Sequence, residues 1–273
     1  MLSGPSNLYR RVRRRFGPRK FRAYGAGPGK TGTHSLANIF ESHYRSAHEA
    51  QARQTIAMLL RYRSGRASES DLRAFIRRRD KELRLEMDSA GYNPLMAAVI
   101  ADEYPDAKFI ITVRDCFTWA NSAINQFLNN PNAQQHWLEW RESIFGSLEN
   151  CRYDEPEDVL RSHNVWNLDS IYNVWASHYS AVLDSVAEDR ILIVRISEIR
   201  NRLDDIAEFL GVSGKTLDPS RSMAYKAPKD FGLLAKVDPD VVNHRAQEIC
   251  GSLMQQFYPD RRCEVAEFLP KVS

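Results

Sequence analysis

The densest chemistry in the 273-residue chain lies in Tyr24-Gly25-Ala26-Gly27-Pro28-Gly29-Lys30-Thr31-Gly32-Thr33-His34-Ser35-Leu36. Glycines, a lysine and hydroxyls stand between a short apolar segment and a helical one. Such an order builds an anion site. Glycines let backbone N–H groups approach phosphate oxygens closely. The following helix N-terminus adds unpaired donors and positive partial charge. Lys30 supplies a full positive charge, and Thr31 and Thr33 supply hydroxyls.

The loop is not a nucleotide triphosphatase P-loop of the usual spacing. That pattern needs a glycine five positions before the Gly-Lys pair, and Tyr24 stands there, with Gly25 one position too late. The apolar run Phe109–Val113 also meets Arg114 before its first acid, Asp115, so no magnesium carboxylate follows it cleanly.

The elements that would position these residues alternate between strand and helix patterns. Strands are expected at Phe21–Tyr24, His43–Ala47, Leu83–Met87, Phe109–Val113 and Ile191–Ile196. Helices are expected at Ser35–Ser42, Gln51–Arg63, Asp71–Asp80, Pro94–Glu103, Thr118–Leu128, Leu203–Leu210 and from about Pro239 to Phe257. Residues 64–70 form a polar interruption. Leu168, Ile171, Tyr172, Trp175, Tyr179, Val182, Leu183 and Val186 mark one long amphipathic helix. The alternation implies an α/β fold with a central parallel sheet covered by helices on both faces. In such folds ligands gather at the carboxyl ends of the strands.

Composition is that of a globular protein, with 43% hydrophobic and 27% charged residues. No apolar run approaches the roughly 20 residues of a membrane helix. The basic N-terminus has no apolar stretch behind its charges, so neither a secretory nor a twin-arginine signal is expected, and a cytoplasmic location is. Eight of the 38 Lys and Arg fall in residues 1–22, which hold no acid, leaving 30 bases against 35 acids elsewhere. The body is therefore no nucleic-acid platform, and residues 1–20 read as a basic arm on a single domain spanning 21–273. The arm has the charge to meet an anionic surface. Cys116, Cys151, Cys250 and Cys263 form no C-x-x-C pair and have no histidine cluster, so reduced thiols and no metal site are expected.

Pro28 to Leu36, with its Lys-Thr-Gly-Thr core, resembles the 5′-phosphosulfate loop of sulfotransferases that use 3′-phosphoadenosine 5′-phosphosulfate (PAPS). A second element strengthens the resemblance. The strand Phe109–Val113 ends in Arg114, and Ser122 follows eight residues later, as in the family's 3′-phosphate motif. Ile191–Arg202 and the segment Ile206–Val212 resemble the family's late strand, turn and short helix. The likeness covers roughly residues 21–235. It implies a three-layer fold like that of P-loop proteins, with PAPS as donor and 3′,5′-adenosine bisphosphate (PAP) as product, and no metal. Its donor ligands would be Gly29, Lys30, Thr31, Gly32, Thr33, His34, Ser35, Arg114 and Ser122. The chain departs from the pattern in placing Gly29 between Pro28 and Lys30, in carrying His34 where a second threonine is usual, and in lacking a C-terminal Arg-Lys-Gly motif, for which Arg221, Lys226 and Lys229 are the available substitutes.

Sulfuryl transfer needs in-line geometry, neutralisation of the leaving phosphate and a base on the acceptor hydroxyl. Lys30 would serve the leaving group. The base of the cytosolic animal enzymes does not carry over, since no histidine lies between His48 and His136. The resemblance to bacterial carbohydrate and glycolipid enzymes instead implies a glutamate after the second strand, where Glu49 and His48 both stand; Asp88 is a further candidate. Trp137, Trp140 and Phe145 recur at helical spacing, which favours core packing over acceptor stacking, and Trp166 and Trp175 also read as core. The acceptor would be a hydroxyl of a small molecule, carbohydrate or lipid. Two other readings stay open: a P-loop kinase, and a non-catalytic binding module on the same fold.

Overall fold

The computed structural model describes residues 17–222 and 228–269. Five strands form one parallel sheet: β1 (Ala23–Gly25), β2 (Ser46–His48), β3 (Met87–Ser89), β4 (Lys108–Val113) and β5 (Ile191–Arg195), in the order β2-β3-β1-β4-β5. Ala23 pairs with Met87 on one side and Lys108 on the other, and Phe109 pairs with Ile191. The α/β architecture expected from the sequence is the one observed.

Alternation along the strands assigns the two faces. Ala23 and Ile110 point to one face, where they pack with Leu36, Ile39 and Phe40 of helix α1 (Thr33–Phe40) and with Ile206 and Leu210 from the segment after β5. Tyr24, Phe109, Ile111 and Val113 point to the other face. That face is covered by helices α2 (Ala52–Arg63), α3 (Glu69–Leu83), α4 (Ala97–Glu103), α5 (Cys116–Asn129), α6 (Gln135–Phe145), a short α7 (Asp158–Ser162) and α8 (Leu168–Leu183). Helix α9 (Leu203–Leu210) closes the first face, and α10 (Pro239–Phe257) with the short α11 (Val265–Phe268) completes the second.

Local chemistry sets the helix ends. The Asp115 carboxylate accepts the Thr118 N–H at 2.7 Å and opens α5, and Asn167 does the same for α8 through Ser170 at 2.9 Å. Ser68 and Asp71 form a capping box that starts α3 inside the expected polar interruption. Helix α3 runs on through Leu83 and reverses at Arg84, φ 50°. The strand expected at Leu83–Met87 therefore lies at Met87–Ser89. The strand expected at His43–Ala47 is likewise shifted to Ser46–His48, because the turn after α1 uses the His43 and Tyr44 N–H groups to bond Phe40 O.

Residues at the end of the expected basic arm bond to the domain. Arg45 donates to Gly17 O at 2.9 Å, the Lys20 N–H donates to Glu86 at 2.9 Å, and Arg19 pairs with Asp80 at 2.7 Å. Those residues are built into the domain; the remaining basic segment lies outside the described residues. Asp88 is also committed elsewhere. It forms a buried ion pair with Arg79, which in turn donates to Ala50 O at 2.8 Å. A carboxylate so engaged is not a free base, and the pair instead pins the loop after β2.

Removing one member of such a pair leaves an uncompensated buried charge. Asp88→Ala is expected to destabilise the protein by about 3–5 kcal/mol in urea unfolding, whereas a loss below about 1 kcal/mol would show that the pair does not hold this region.

Candidate active site

The carboxyl ends of all five strands open on one cleft of about 1290 Å³. Lys30 follows β1, Glu49 follows β2, Gly91 follows β3, Arg114 follows β4 and Ile196 follows β5, and each lines it. Strand order makes the ends of β1 and β4 neighbours, so the glycine loop and Arg114 face each other although 84 residues separate Lys30 from Arg114.

The loop is held from behind. Trp119 Nε1 donates to Gly29 O at 2.7 Å, and Arg114 Nη1 donates to Lys30 O at 3.3 Å. Thr31 is wholly buried; its hydroxyl donates to Pro28 O at 2.7 Å and lies 3.0 Å from the Thr112 hydroxyl. Its side chain braces the loop and does not face the cleft, contrary to the role expected of a donor hydroxyl. Gly91 has to be glycine, since a Cβ there would stand 2.7 Å from Gly29 N. A Cβ on Gly29 would by contrast meet nothing of the protein. Lys30 takes a left-handed backbone, φ 73°, as does Gly32, φ 96°, and no side chain caps α1. This N-terminus, without a side-chain cap, opens toward the cleft. Gly29, Lys30, Gly32, Thr33, His34 and Ser35 all border the cleft.

Arg114 is fixed through its backbone. Its N–H donates to Tyr179 Oη at 3.2 Å, Tyr179 donates to Thr112 O at 3.2 Å, and Trp175 Nε1 donates to Arg114 O at 2.9 Å. The guanidinium Nε donates to Thr118 Oγ1 at 3.1 Å. Arg114, Thr118 and Ser122 succeed one another at intervals of four, which sets them on one side of the turn into α5, and Arg114 and Ser122 both line the cleft. No carboxylate is within ion-pair distance of Arg114 among the described residues. Burial, and then the charge of Arg114, hold the Lys30 ammonium below its ordinary pKa. Lys30 Nζ also donates to Gln126 Oε1 at 3.2 Å. Two neighbouring cations with uncapped N–H groups fit a ligand carrying phosphate at two points. Both Asp115 oxygens accept from Thr118, one from the N–H and one from the hydroxyl.

Opposite the loop, Glu49 has φ 53° and its N–H donates to Ser89 O at 3.0 Å. Burial raises its carboxyl pKa to about 7. Burial, and then His34, lower His48 to about 4, so its ring is neutral at pH 7. With a neutral ring, the 3.8 Å approach of His48 to Glu49 is not an ion pair. His48 Nε2 lies 3.0 Å from Thr33 Oγ1, and the ring stacks on His34 with centroids 4.9 Å apart. Trp137, Trp140 and Phe145 prove to be both packed and functional in position: Trp140 and Phe145 are buried, and all three line the cleft. Trp166 and Trp175 are core.

Of the C-terminal substitutes, Arg221 and Lys229 do not line the cleft. Arg221 pairs with Glu41 at 2.7 Å and approaches Asp218 at 3.4 Å. Lys229 is exposed over the Phe231 ring, 4.5 Å away, and Lys226 lies outside the described residues. Ser222 and Asp230 border the cleft in their place. The sequence reading missed the grips of Trp119, Trp175 and Tyr179. Their signal was the polar end each buried Trp or Tyr must satisfy.

The fold is an α/β scaffold in which the glycine loop, Lys30, Arg114 and Glu49 border one cleft. A family model described as a sulfotransferase domain matches residues 24–216, and the chain belongs to that family. A solved sulfotransferase from Alicyclobacillus acidocaldarius shares the fold, with a TM-score of 0.51 and 18% identity over 87% of this chain and 96% of that one. No curated protein sequence matches the chain. No helix among the described residues is long and apolar enough to cross a membrane.

The raised Glu49 pKa makes a prediction about stability. Between about 4.5 and about 7 the folded protein holds a proton that the unfolded chain releases, so this site's contribution to stability falls as pH rises through that window. Glu49→Gln, neutral throughout, is expected to melt like the parent at pH 4.5 and higher than the parent at pH 8. Identical melting at pH 8 would mean that the carboxylate is not strained by burial.

Proposed function

We propose that the protein transfers a sulfuryl group from PAPS to a hydroxyl of a small-molecule, carbohydrate or lipid acceptor. The observation that carries this reading is the meeting of Lys30, Arg114 and Glu49 around one cleft, from the ends of three different strands. The loop from Gly29 to Ser35 would hold the 5′-phosphosulfate through backbone N–H groups, Thr33 and Lys30. Thr31 would contribute by bracing the loop. Arg114 and Ser122 would take the 3′-phosphate, with the guanidinium fork matched to its oxygens.

Glu49 would accept the acceptor's hydroxyl proton while the oxygen attacks sulfur. The new oxygen–sulfur bond forms as the bond from sulfur to the bridging phosphate oxygen breaks. The electron pair leaves with PAP, and Lys30 neutralises the charge that gathers there. A pKa near 7 suits a base that works near neutral pH. His48, with a pKa near 4, is a poor base and is assigned to orienting Thr33 and His34. Lys30 would supply the positive charge at the leaving phosphate, so the proposed transfer calls for no metal.

Transfer of labelled sulfate from PAPS to a panel of hydroxylated acceptors tests the proposal. Loss of a transition-state donor costs about 10²–10³-fold, so Lys30→Ala is expected to lower kcat by that factor. Arg114→Ala is expected mainly to raise the KM for PAPS. An unchanged kcat in Lys30→Ala together with an unchanged KM for PAPS in Arg114→Ala would refute the assignment.

A further inference from the structure

We propose that the acceptor carries an oxyanion beside a flat apolar body, and that Arg141 on α6 binds that oxyanion. The proposal rests on the sulfuryl-transfer reading and names the acceptor class for the same cleft. Arg141 lines the cleft, and no carboxylate is within ion-pair distance of it among the described residues. Its guanidinium makes one hydrogen bond, from Nη1 to Asn130 O at 3.0 Å, and lies 5.4 Å from the centre of the Phe127 ring. A guanidinium has five N–H groups, so most of its donors remain for a ligand. Burial lowers the Arg141 pKa, with no acid offsetting it. A charge held in that condition inside a cleft is suited to a carboxylate, sulfate or phosphate.

Position separates Arg141 from the residues proposed for the 3′-phosphate. Arg114 stands just before α5 and Asn130 just after it. The 14 residues of that helix span about 21 Å at 1.5 Å per residue. Ser122 belongs to the near half and Arg141 to the far end. The far end still communicates with the base. Trp140, next to Arg141, meets Tyr92 edge-on at 6.3 Å, and Tyr92 is close enough to feel the charge of Glu49. Phe127, Trp137, Ile144 and Phe145 make the wall between.

Two of the amides along this wall have partners within the protein. Asn125 donates to Asp230 at 2.7 Å and accepts from the Phe231 N–H at 2.9 Å, and Asn130 Nδ2 donates to Gln126 O at 3.1 Å. An aromatic or similarly flat anion would satisfy both the wall and the guanidinium.

The test titrates the full chain, with and without saturating PAP, against 4-hydroxyphenylacetate, 4-hydroxybenzenesulfonate, 4-hydroxyphenyl phosphate and the neutral 4-hydroxyphenylacetamide. At least one anion is expected to bind tenfold or more tighter than the amide, and the comparison among the three shows which oxyanion fits. Arg141→Gln is expected to erase that preference and Arg141→Lys to restore part of it, with PAP affinity unchanged in both. Equal binding of anions and amide, no binding of any anion, or a preference that survives in Arg141→Gln would overturn the proposal. Failure of PAP to bind the parent protein would count against the donor reading instead, and the titrations without PAP would still decide the role of Arg141.

Discussion

Lys30 and Arg114 are held near each other against their mutual repulsion, and much of the surrounding structure serves that placement. The sheet order makes β1 and β4 neighbours, so the two residues leave adjacent strand ends. Trp119 anchors the carbonyl of Gly29, Arg114 that of Lys30, and Trp175 and Tyr179 anchor Arg114 itself. Each anchor is a buried polar end of an otherwise apolar side chain, or a charged group bonded to backbone. The core therefore does two tasks at once: it excludes water and it aims the cations.

Strain is located on the same residues. Lys30 and Glu49 both adopt left-handed backbones that favour glycine, with φ of 73° and 53°. Conformations of this kind persist where surrounding contacts over-determine them, and they gather at functional positions. Around Glu49 those contacts are the Ser89 carbonyl and the Arg79–Asp88 pair, which grips Ala50. Burial then keeps a proton on Glu49 to higher pH than usual, which makes the carboxylate a stronger base once it is lost.

What the sequence revealed were features encoded within short stretches. The glycine loop, the strand ending in Arg114, the Ser122 spacing and the position of Glu49 after the second strand are local patterns, and folding brings them together at one cleft. Features that depend on distant partners were not legible. The Thr31 hydroxyl turns inward because Thr112 and Pro28 O receive it. Asp88 is removed from candidacy by Arg79, and Arg221 by Glu41, which is 180 residues away. Arg141 is set apart only by the tertiary structure, in which no carboxylate among the described residues is within ion-pair distance of it. Strand ends shifted by two residues or so for a similar reason, since Arg84 ends its helix with a conformation that a propensity reading does not anticipate.

The most direct test of the cation cradle is a set of thermal melts with PAP, ADP, ATP plus magnesium, and no ligand. A ligand at about 100 times its dissociation constant stabilises the folded state by roughly 2.7 kcal/mol, a readily measured shift. The account predicts a shift with PAP in metal-free buffer that exceeds the shift with ADP. A shift confined to ATP with magnesium, or no shift with PAP, would contradict it.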